Sequence, residues 1–454
     1  MSDFKTTIGL EIHCQLKTKS KMFCSCSNDA EDKEPNTVVC PVCLGMPGTL
    51  PVTNKKALEL TAKIGLALGS KIADVAWFDR KHYFYPDLPK GYQISQYQNP
   101  FCEGGSLTVS GKEIRFNRVH LEEDAGKLSH KSGSKYSHVD LNRAGTPLAE
   151  IVTEPDIESA IQAKEFLQEL RELLRGIEVS DADMEKGHLR CDANISLTKD
   201  GKMSPIVEIK NLNSFKFVEK ALAFEEKRLA NEFASWPESK TKVTRGFNSE
   251  KGETYTLREK EEAKDYRYFP EPDIPPIELG KIIDLELLKS EIGQLPSVDR
   301  QELIDLGIDE QMAKLVIKDK QLMAKIKELK SQIEINGKLV KTLVNEKKAR
   351  DLNTDQLKDL VVLLNNGTPS NLIRQAVEQA IKTGNLPSDN LSDSSDEETI
   401  IKQVIAENSE AVEKIKAGKQ EVMGFLVGQA MRLGQGKINP GTVRDKLLKE
   451  IKGE

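Results

Sequence analysis

The sequence predicts an α+β protein: a mixed or antiparallel sheet over residues 1–292, a helical region over 293–390 and a small helical tail over 391–454. Three observations carry that expectation. Ile8–Leu16 alternates as a half-buried strand, and residues 189–210 read as a hairpin of the same period. All six histidines and all seven cysteines lie before residue 192, and the only aromatic residue after Phe269 is Phe425. The first part therefore has the composition of a site-bearing domain and the remainder that of helical appendages. At 454 residues the chain exceeds what one compact core holds, so two or three domains are expected.

In Ile8–Leu16 the residues Ile8, Leu10, Ile12, Cys14 and Leu16 share one face, and Gly9, Glu11, His13 and Gln15 the other. A carboxylate and an imidazole two residues apart thus project together from a strand whose opposite face is apolar. That pair can bind a metal or exchange protons. Next come Cys24-Ser-Cys26, thirteen residues, and Cys40-Pro-Val-Cys43. Two close thiol pairs at this spacing fit a tetrahedral four-thiolate zinc site. Its closed shell leaves no position for substrate, so the zinc is expected to be structural. Cys14, Cys102 and Cys191 read as small core residues.

Asn54–Ser70 places Ala57, Leu60, Ile64 and Leu68 at helical spacing behind a Thr53-Asn54 cap signal. The run from Trp77 to Tyr97 is the most aromatic of the chain, interleaved with Arg80, Lys81 and Lys90. Such a run stacks an unpaired base or, more ordinarily, packs as core with a charged rim. The reading taken is that the rings pack while Lys81 or Lys90 faces a ligand. Strands dominate from Ile114. Arg118–Gly126 ends in three acids, and Leu148–Thr153 sets Glu150 inside an apolar strand. Glu158–Arg175 is an amphipathic helix stopped by Gly176. In the hairpin, Arg190, Asp192 and Asn194 face away from Leu189, Cys191 and Ala193, and Asp200-Gly201 makes the turn. The return strand turns Val207 and Ile209 inward and Glu208 and Lys210 outward. Asn213-Ser214 caps a helix to about Phe233.

Glu11, His13, Glu123, Asp124, Glu150, Asp192 and Glu208 are therefore strand or strand-end groups. Any one of them reads most simply as a solvated charge on a sheet face. Together they point to a divalent-metal site, because Glu150 sits where an apolar residue belongs and clustered carboxylates need a cation. Further on, the prolines of Asp265–Pro276 enforce an extended boundary. Residues 314–350 carry eleven Lys or Arg against four Asp or Glu, and 351–410 carry four against eleven. The basic part suits RNA, although Lys-rich helices are commonly only solvated. Residues 384–398 read as an acidic flexible linker. Met423–Met431 forms the core stripe of the tail.

A formal net charge of −6 and a pI near 5.8 argue against a DNA-coating protein. No apolar run is long enough to cross a bilayer and no leader opens the chain, so a cytoplasmic, membrane-free protein is expected. No phosphate loop, dinucleotide fingerprint, His-Glu-x-x-His helix or nucleophile elbow is present.

Several blocks carry a resemblance. They are Ile8-Gly-Leu-Glu-Ile-His, Cys40-Pro-Val-Cys-Leu-Gly-Met-Pro-Gly-Thr-Leu-Pro, Phe78-Asp-Arg-Lys and the run from Tyr83-Phe-Tyr-Pro-Asp-Leu-Pro-Lys-Gly-Tyr to Gln96. His120-Leu-Glu-Glu-Asp-Ala-Gly-Lys, Val139-Asp-Leu-Asn-Arg-Ala-Gly, Leu189-Arg-Cys-Asp-Ala-Asn, Val207-Glu-Ile-Lys-Asn-Leu-Asn-Ser-Phe and Asp265-Tyr-Arg-Tyr-Phe-Pro belong with them. The chain resembles the B-subunit family of tRNA-dependent aspartyl/glutamyl-tRNA amidotransferases. The likeness covers residues 4 to about 278, and Gly424-Phe-Leu-Val-Gly-Gln and Gly436-Lys-Ile-Asn-Pro extend it to the tail. Residues 293–390 match weakly.

The resemblance implies a cradle-like catalytic domain followed by a helical and a tail domain that grasp tRNA. It implies a ligase that uses ATP and Mg2+ to phosphorylate the side-chain carboxylate of Glu or Asp misacylated on tRNA. Ammonia from a separate amidase subunit, accompanied by a small C subunit, then displaces the phosphate. The family's metal residues fall on Glu11, His13, Glu123 and Glu150, with Asp192 close by, and whether Glu122 or Glu123 points inward stays open. Asp192 and Glu208 are assigned to a supporting shell. Lys81, Lys90, Arg190 or Lys210 are assigned to phosphate or acyl groups, and the four cysteines to structural zinc. Two rivals remain at this point: a metal-dependent hydrolase using the same acids, and a non-enzymatic zinc-ribbon RNA scaffold.

Overall fold

The computed structural model describes residues 4–130, 133, 135–236, 242–259, 266–387, 394–416, 420–434 and 440–452. The chain forms two compact units, Met1–Ser297 and Val298–Glu454.

The first unit is built from β1 (Lys5–Gln15), α1 (Lys55–Leu68), β2 (Asp79–His82), β3 (Tyr92–Ser95), β4 (Lys112–Glu123), β5 (Pro147–Thr153), α2 (Ala160–Gly176), β6 (Leu189–Lys199), β7 (Ile206–Leu212), α3 (Phe215–Asn231), β8 (Lys242–Asn248) and β9 (Glu253–Glu259). Its main sheet has eleven strands and runs β9-β8-β7-β6-β1-β5-β4, then the two-residue strands Cys102–Glu103 and Lys71–Ile72. Lys202–Met203 pairs with β6, and Ser106–Val109 with β4. The β7–β8 pair is parallel and its neighbours are antiparallel, which makes the sheet mixed.

β1 is central because both of its edges are paired, with β5 on one side and β6 on the other. Ile8, Leu10, Ile12, Cys14 and Leu16 lie in one apolar cluster with Ala57, Leu60 and Ile64 of α1, Phe166 and Leu170 of α2, and Leu222 of α3. Each such aliphatic side chain contributes roughly 1.5–3 kcal/mol on burial. The opposite, polar face of β1 is left for the site.

Local signals place the helices. The Asn54 side chain accepts from the backbone N–H groups of Lys56 and Ala57 at the start of α1, and Gly69 ends that helix at φ 69°. Gly176 departs from the expected stop signal, because it is the last helical residue of α2 and not a left-handed cap. A β-carbon there would lie 2.3 Å from Cγ of Pro296, so close approach explains the glycine. Asp200 and Gly201 both take positive φ, 49° and 78°, in the two-residue turn between Lys199 and Lys202.

β2 is clamped from its far side. The Arg80 guanidinium lies 4.3 Å from the Tyr92 ring centroid and makes two hydrogen bonds to Glu271, while Phe269–Pro270 pairs with β2. The Asp265–Pro276 segment thus docks onto the unit; Asp265 itself lies outside the described residues.

Among its described residues the second unit is helical, with no strand. Leu322, Ile326, Leu339, Leu343, Leu357 and Leu360 belong to one apolar cluster, and Val404, Leu426, Ala430, Val443 and Leu447 to another. Asp309, Asp319, Asn336 and Asn353 cap successive helices, each worth about 1 kcal/mol. Met423, Leu426 and Ala430 form the buried stripe of the Met423–Leu433 helix. Of the expected linker, residues 388–393 lie outside the described residues and Ser394 opens a helix to Glu407, so 394–398 are not linker. The Gly436–Pro440 motif falls largely outside the described residues, which resume at Pro440.

Candidate active site: carboxylates around an imidazole

Strand register assembles the site. On β1, His13 stands opposite Glu150 of β5 and Arg190 of β6, and Glu11 stands opposite Asp192. On β4, His120 stands opposite Glu150. Directly paired residues project to the same face, so this row lies on the polar side of the sheet. His13 Nε2 is 3.4 Å from Glu122 Oε1, 3.8 Å from Glu150 Oε2 and 4.0 Å from Glu11 Oε1. Ser95 Oγ donates to Glu122 at 2.8 Å and fixes that carboxylate from β3.

The electrostatics follow from crowding. Burial pushes the Glu150 carboxyl up to about 7, and the charges of Glu11 and Glu122 add to it. Burial works to lower His13, yet Glu122, Glu150 and Glu11 together hold it above the usual imidazole range. Burial works to raise Glu11, but His13, Lys81, Lys210 and Lys242 bring it below the usual carboxylate range. His120 behaves oppositely: burial, with Arg118 and Lys81, pushes it down to about 3, so it is neutral. Its Nδ1 lies 3.7 Å from Glu150 Oε1. Such a cluster is neutralised either by protons or by a cation.

The cluster opens into a cavity of about 1240 Å3 lined by Glu11, His13, Lys81, Glu122, Arg190 and Lys210 among others. Small-ligand sites are usually ~300–1,000 Å3, so there is room for a nucleotide and part of a second substrate. Lys81 is kept cationic against burial by Glu122 and Glu150, with its Nζ 4.9 Å from the Tyr266 ring centroid. Arg190 Nη2 is anchored on Asp124 Oδ2 at 2.6 Å. Lys210 Nζ sits between Asp192 at 4.0 Å and Glu208 at 3.9 Å.

Glu11, His13, Glu150, Asp192, Lys81, Arg190 and Lys210 are therefore brought together, Glu208 stands beside Lys210 at the edge of the group, and two of the expected residues, Glu123 and Lys90, are not. Glu123 takes the Lys90 ammonium and the Ile94 backbone N–H at 3.0 Å, on the other side of β4. Glu122 replaces it in the cluster. Lys90 is correspondingly committed to Glu123 and packs near Tyr92 and Phe23. Glu208 lies outside the cavity lining but borders it through Lys210 at 3.9 Å, and is also paired with Lys242 at 2.9 Å and accepts from Thr244 at 3.2 Å. Sequence reasoning leaves the choice between Glu122 and Glu123 open, and misses the place of His120 in the cluster and the role of Asp124 as the anchor of Arg190. Alternation within β4 carries the signal for the first: Val119 and Leu121 are buried apolar residues, and Glu123 shares their parity.

Glu11, His13 and Glu150 offer one ligand atom each within 4.8 Å of one another, and the Cys24, Cys26, Cys40 and Cys43 sulfurs do the same. Cys40 and Cys43 Sγ are 3.8 Å apart, which is the edge of a tetrahedron with ~2.3 Å metal–sulfur bonds. The Cys40 backbone N–H points at Cys43 Sγ from 3.1 Å. The donor sets fit a metal in both places: a tetrahedral one on the sulfurs, and an oxygen-preferring cation on the carboxylates, where the single imidazole is the less usual ligand. Cys14, Cys102 and Cys191 are buried core residues.

The family model of the GatB/GatE catalytic domain matches residues 6–283, and that of the GatB domain matches residues 309–451. The chain is 43% identical over 477 residues to the B subunit of the aspartyl/glutamyl-tRNA(Asn/Gln) amidotransferase of Persephonella marina, covering 99% of each. It is 43% identical over 479 residues to the same protein of Pseudothermotoga lettingae, covering 99% of this chain and 100% of the relative. The Thermotoga maritima relative is 41% identical over 482 residues, with the same coverage. The register that gathers Glu11, His13, Glu122 and Glu150 lies inside the first matched region, and on these matches the chain belongs to the GatB family.

Proposed function

We propose that this chain is the B subunit of a glutamine-dependent tRNA amidotransferase, an ATP-dependent carbon–nitrogen ligase acting on Glu-tRNA(Gln), Asp-tRNA(Asn) or both. The observation that carries the reading is the convergence of Glu11, His13 and Glu122 with Lys81, Arg190 and Lys210 in one cavity, with the buried Glu150 behind His13. A carboxylate is a poor electrophile, so it must first be converted to an acyl phosphate, a mixed anhydride with a good leaving group. The substrate carboxylate oxygen attacks the γ-phosphorus of ATP and ADP leaves. Ammonia then attacks the acyl carbon, phosphate leaves, and a proton is lost to give the amide.

Magnesium, when bound, offsets charge on the nucleotide phosphates. Glu11, Glu122 and Glu150 would hold it through oxygen, with His13 either completing the donor set or positioning a water. Lys81, Lys210 and the Asp124-anchored Arg190 bind the phosphates and the substrate acyl group. Asp192, opposite Glu11, steadies Lys210. Zinc on Cys24, Cys26, Cys40 and Cys43 is structural. The partners of the reading are an amidase subunit that releases ammonia from glutamine, a small C subunit and the misacylated tRNA, all cytoplasmic. Among the described residues no helix is long and apolar enough to cross a membrane.

The test is reconstitution of the chain with candidate amidase and C subunits, assayed on both misacylated tRNAs. ATP turnover that requires the misacylated tRNA, and amide formation that requires ATP, are expected. ATP-independent cleavage of the ester would overturn the ligase reading in favour of a hydrolase.

A further inference from the structure

Lys21 has no exposed surface and is among the largest fully buried side chains of the described residues. Its Nζ donates to the Val38 carbonyl at 2.8 Å and to Cys43 Sγ at 3.8 Å. Among the described residues no carboxylate stands within 4.0 Å of that nitrogen. The backbone on either side is pinned. Lys21 N–H donates to the Cys26 carbonyl at 2.9 Å, Met22 N–H to the Gly145 carbonyl at 2.7 Å, and the Asn54 side chain donates to the Lys21 carbonyl at 3.1 Å. The lysine is therefore held beside the sulfurs by the chain itself.

A buried ammonium needs a counter-charge as well as hydrogen bonds. The Val38 carbonyl satisfies one proton and neutralises nothing. The remaining candidate is sulfur, and four neutral thiols would leave the cation uncompensated. Four thiolates around a divalent metal carry a net charge of −2, so the centre has the complementary excess that the lysine lacks.

We propose that Lys21 is the buried counter-ion of the four-thiolate metal centre, so that metal and lysine are retained as one ion cluster. This inference rests on the assignment of zinc to the cysteines. It makes Lys21 a positioning residue for the centre, acting through Cys43, with no part in the ligase chemistry.

The test uses the full chain. Lys21→Met keeps length and removes charge, and zinc release to a chromophoric chelator is followed at fixed chelator concentration. Release should quicken ~10–100-fold, the range typical when an outer-shell partner of a ligand is lost, while the tetrathiolate absorption of the cobalt-substituted protein keeps its shape. Unchanged release from a folded variant overturns the proposal. A second measurement uses the unaltered chain, so it stands even where the variant does not fold. Lysine acylation, read by mass spectrometry, should spare Lys21 in the zinc-loaded chain and reach it after chelation, with exposed Lys55 as reference. Equal labelling of Lys21 before and after chelation overturns the proposal. A chain purified without stoichiometric zinc, and unable to take it up, sinks the zinc assignment and this inference together, which separates that outcome from a failure of Lys21 alone.

Discussion

His13 and Glu150 face each other across the β1–β5 pair, with Nε2 and Oε2 3.8 Å apart, and Glu150 is the buried member. Replacing Glu150 by Gln preserves shape and removes a charge that Glu11 and Glu122 already oppose. The variant should therefore fold at least as stably as the parent. Outer-shell changes at metal sites alone cost ~10–100-fold, so loss of a ligand should lower amidation in the reconstituted complex by at least ~100-fold. Rates of amide formation beside a thermal melt decide this. Undiminished amidation by E150Q would remove Glu150 from the chemistry.

Glu122 and Glu123 separate function from stability on adjacent residues. Glu122→Gln should weaken divalent-cation binding, read by calorimetry or manganese resonance, and leave the melting temperature near that of the parent. Glu123→Gln should do the reverse. It strands the Lys90 ammonium, whose side chain is 11% exposed, and breaking a buried pair typically costs ~3–5 kcal/mol. If E123Q were stable and failed to bind metal, the placement of the two carboxylates on opposite sides of β4 would be wrong.

This pair also marks how far the sequence is legible. The period-2 pattern of Ile8–Leu16 places Glu11 and His13 on one face, and the polar residue inside Leu148–Thr153 singles out Glu150, because burial of one face dictates register. Parity in Arg118–Glu123 is equally readable from Val119 and Leu121, but three consecutive acids at a strand end read as one group and blur it. Asp124 as the anchor of Arg190 is beyond reach, since it joins residues 66 apart in the chain. So is the competition that commits Lys90 to Glu123, because an exposed-looking lysine in an aromatic run carries no sign of its partner. Gly176 reads as a helix stop because the approach of Pro296 from 120 residues downstream leaves no local trace.

A second buried ionic network lies away from the site. Glu225 on α3 is fully buried and binds Arg228 at 2.6 Å and Arg245 at 2.9 Å, and it accepts a hydrogen bond from Thr254. It ties α3 to β8 and β9. Glu225→Gln leaves the largely buried Arg245 guanidinium without its counter-charge and Arg228 with only the half-exposed Glu232 at 2.9 Å, and should cost ~3–5 kcal/mol in urea unfolding. The divalent-cation affinity of the folded fraction should stay unchanged, since no residue of this network lines the cavity. A loss well under ~3 kcal/mol would mean the arginines find solvent and the network is peripheral.

Zinc removal tests the role of the thiolate loop from the other direction. Met22 N–H donates to the Gly145 carbonyl, Gly145 N–H to the Asp124 carbonyl, and the Asp124 carboxylate holds Arg190. The loop therefore leans on the segment that anchors Arg190, the side chain proposed to bind phosphate, whereas Glu11, His13 and Glu150 are set by the pairing of β1 with β5 and β6. Chelation should raise hydrogen exchange and protease cleavage within residues 24–43 and lower the melting temperature. With Arg190 less well held, KM for ATP should rise more than kcat falls. Metal binding at the carboxylate cluster should persist, because strand register and not zinc assembles it. Abolished kcat with unchanged exchange in the loop would show instead that the thiolate centre takes part in the chemistry, and its structural assignment would fall.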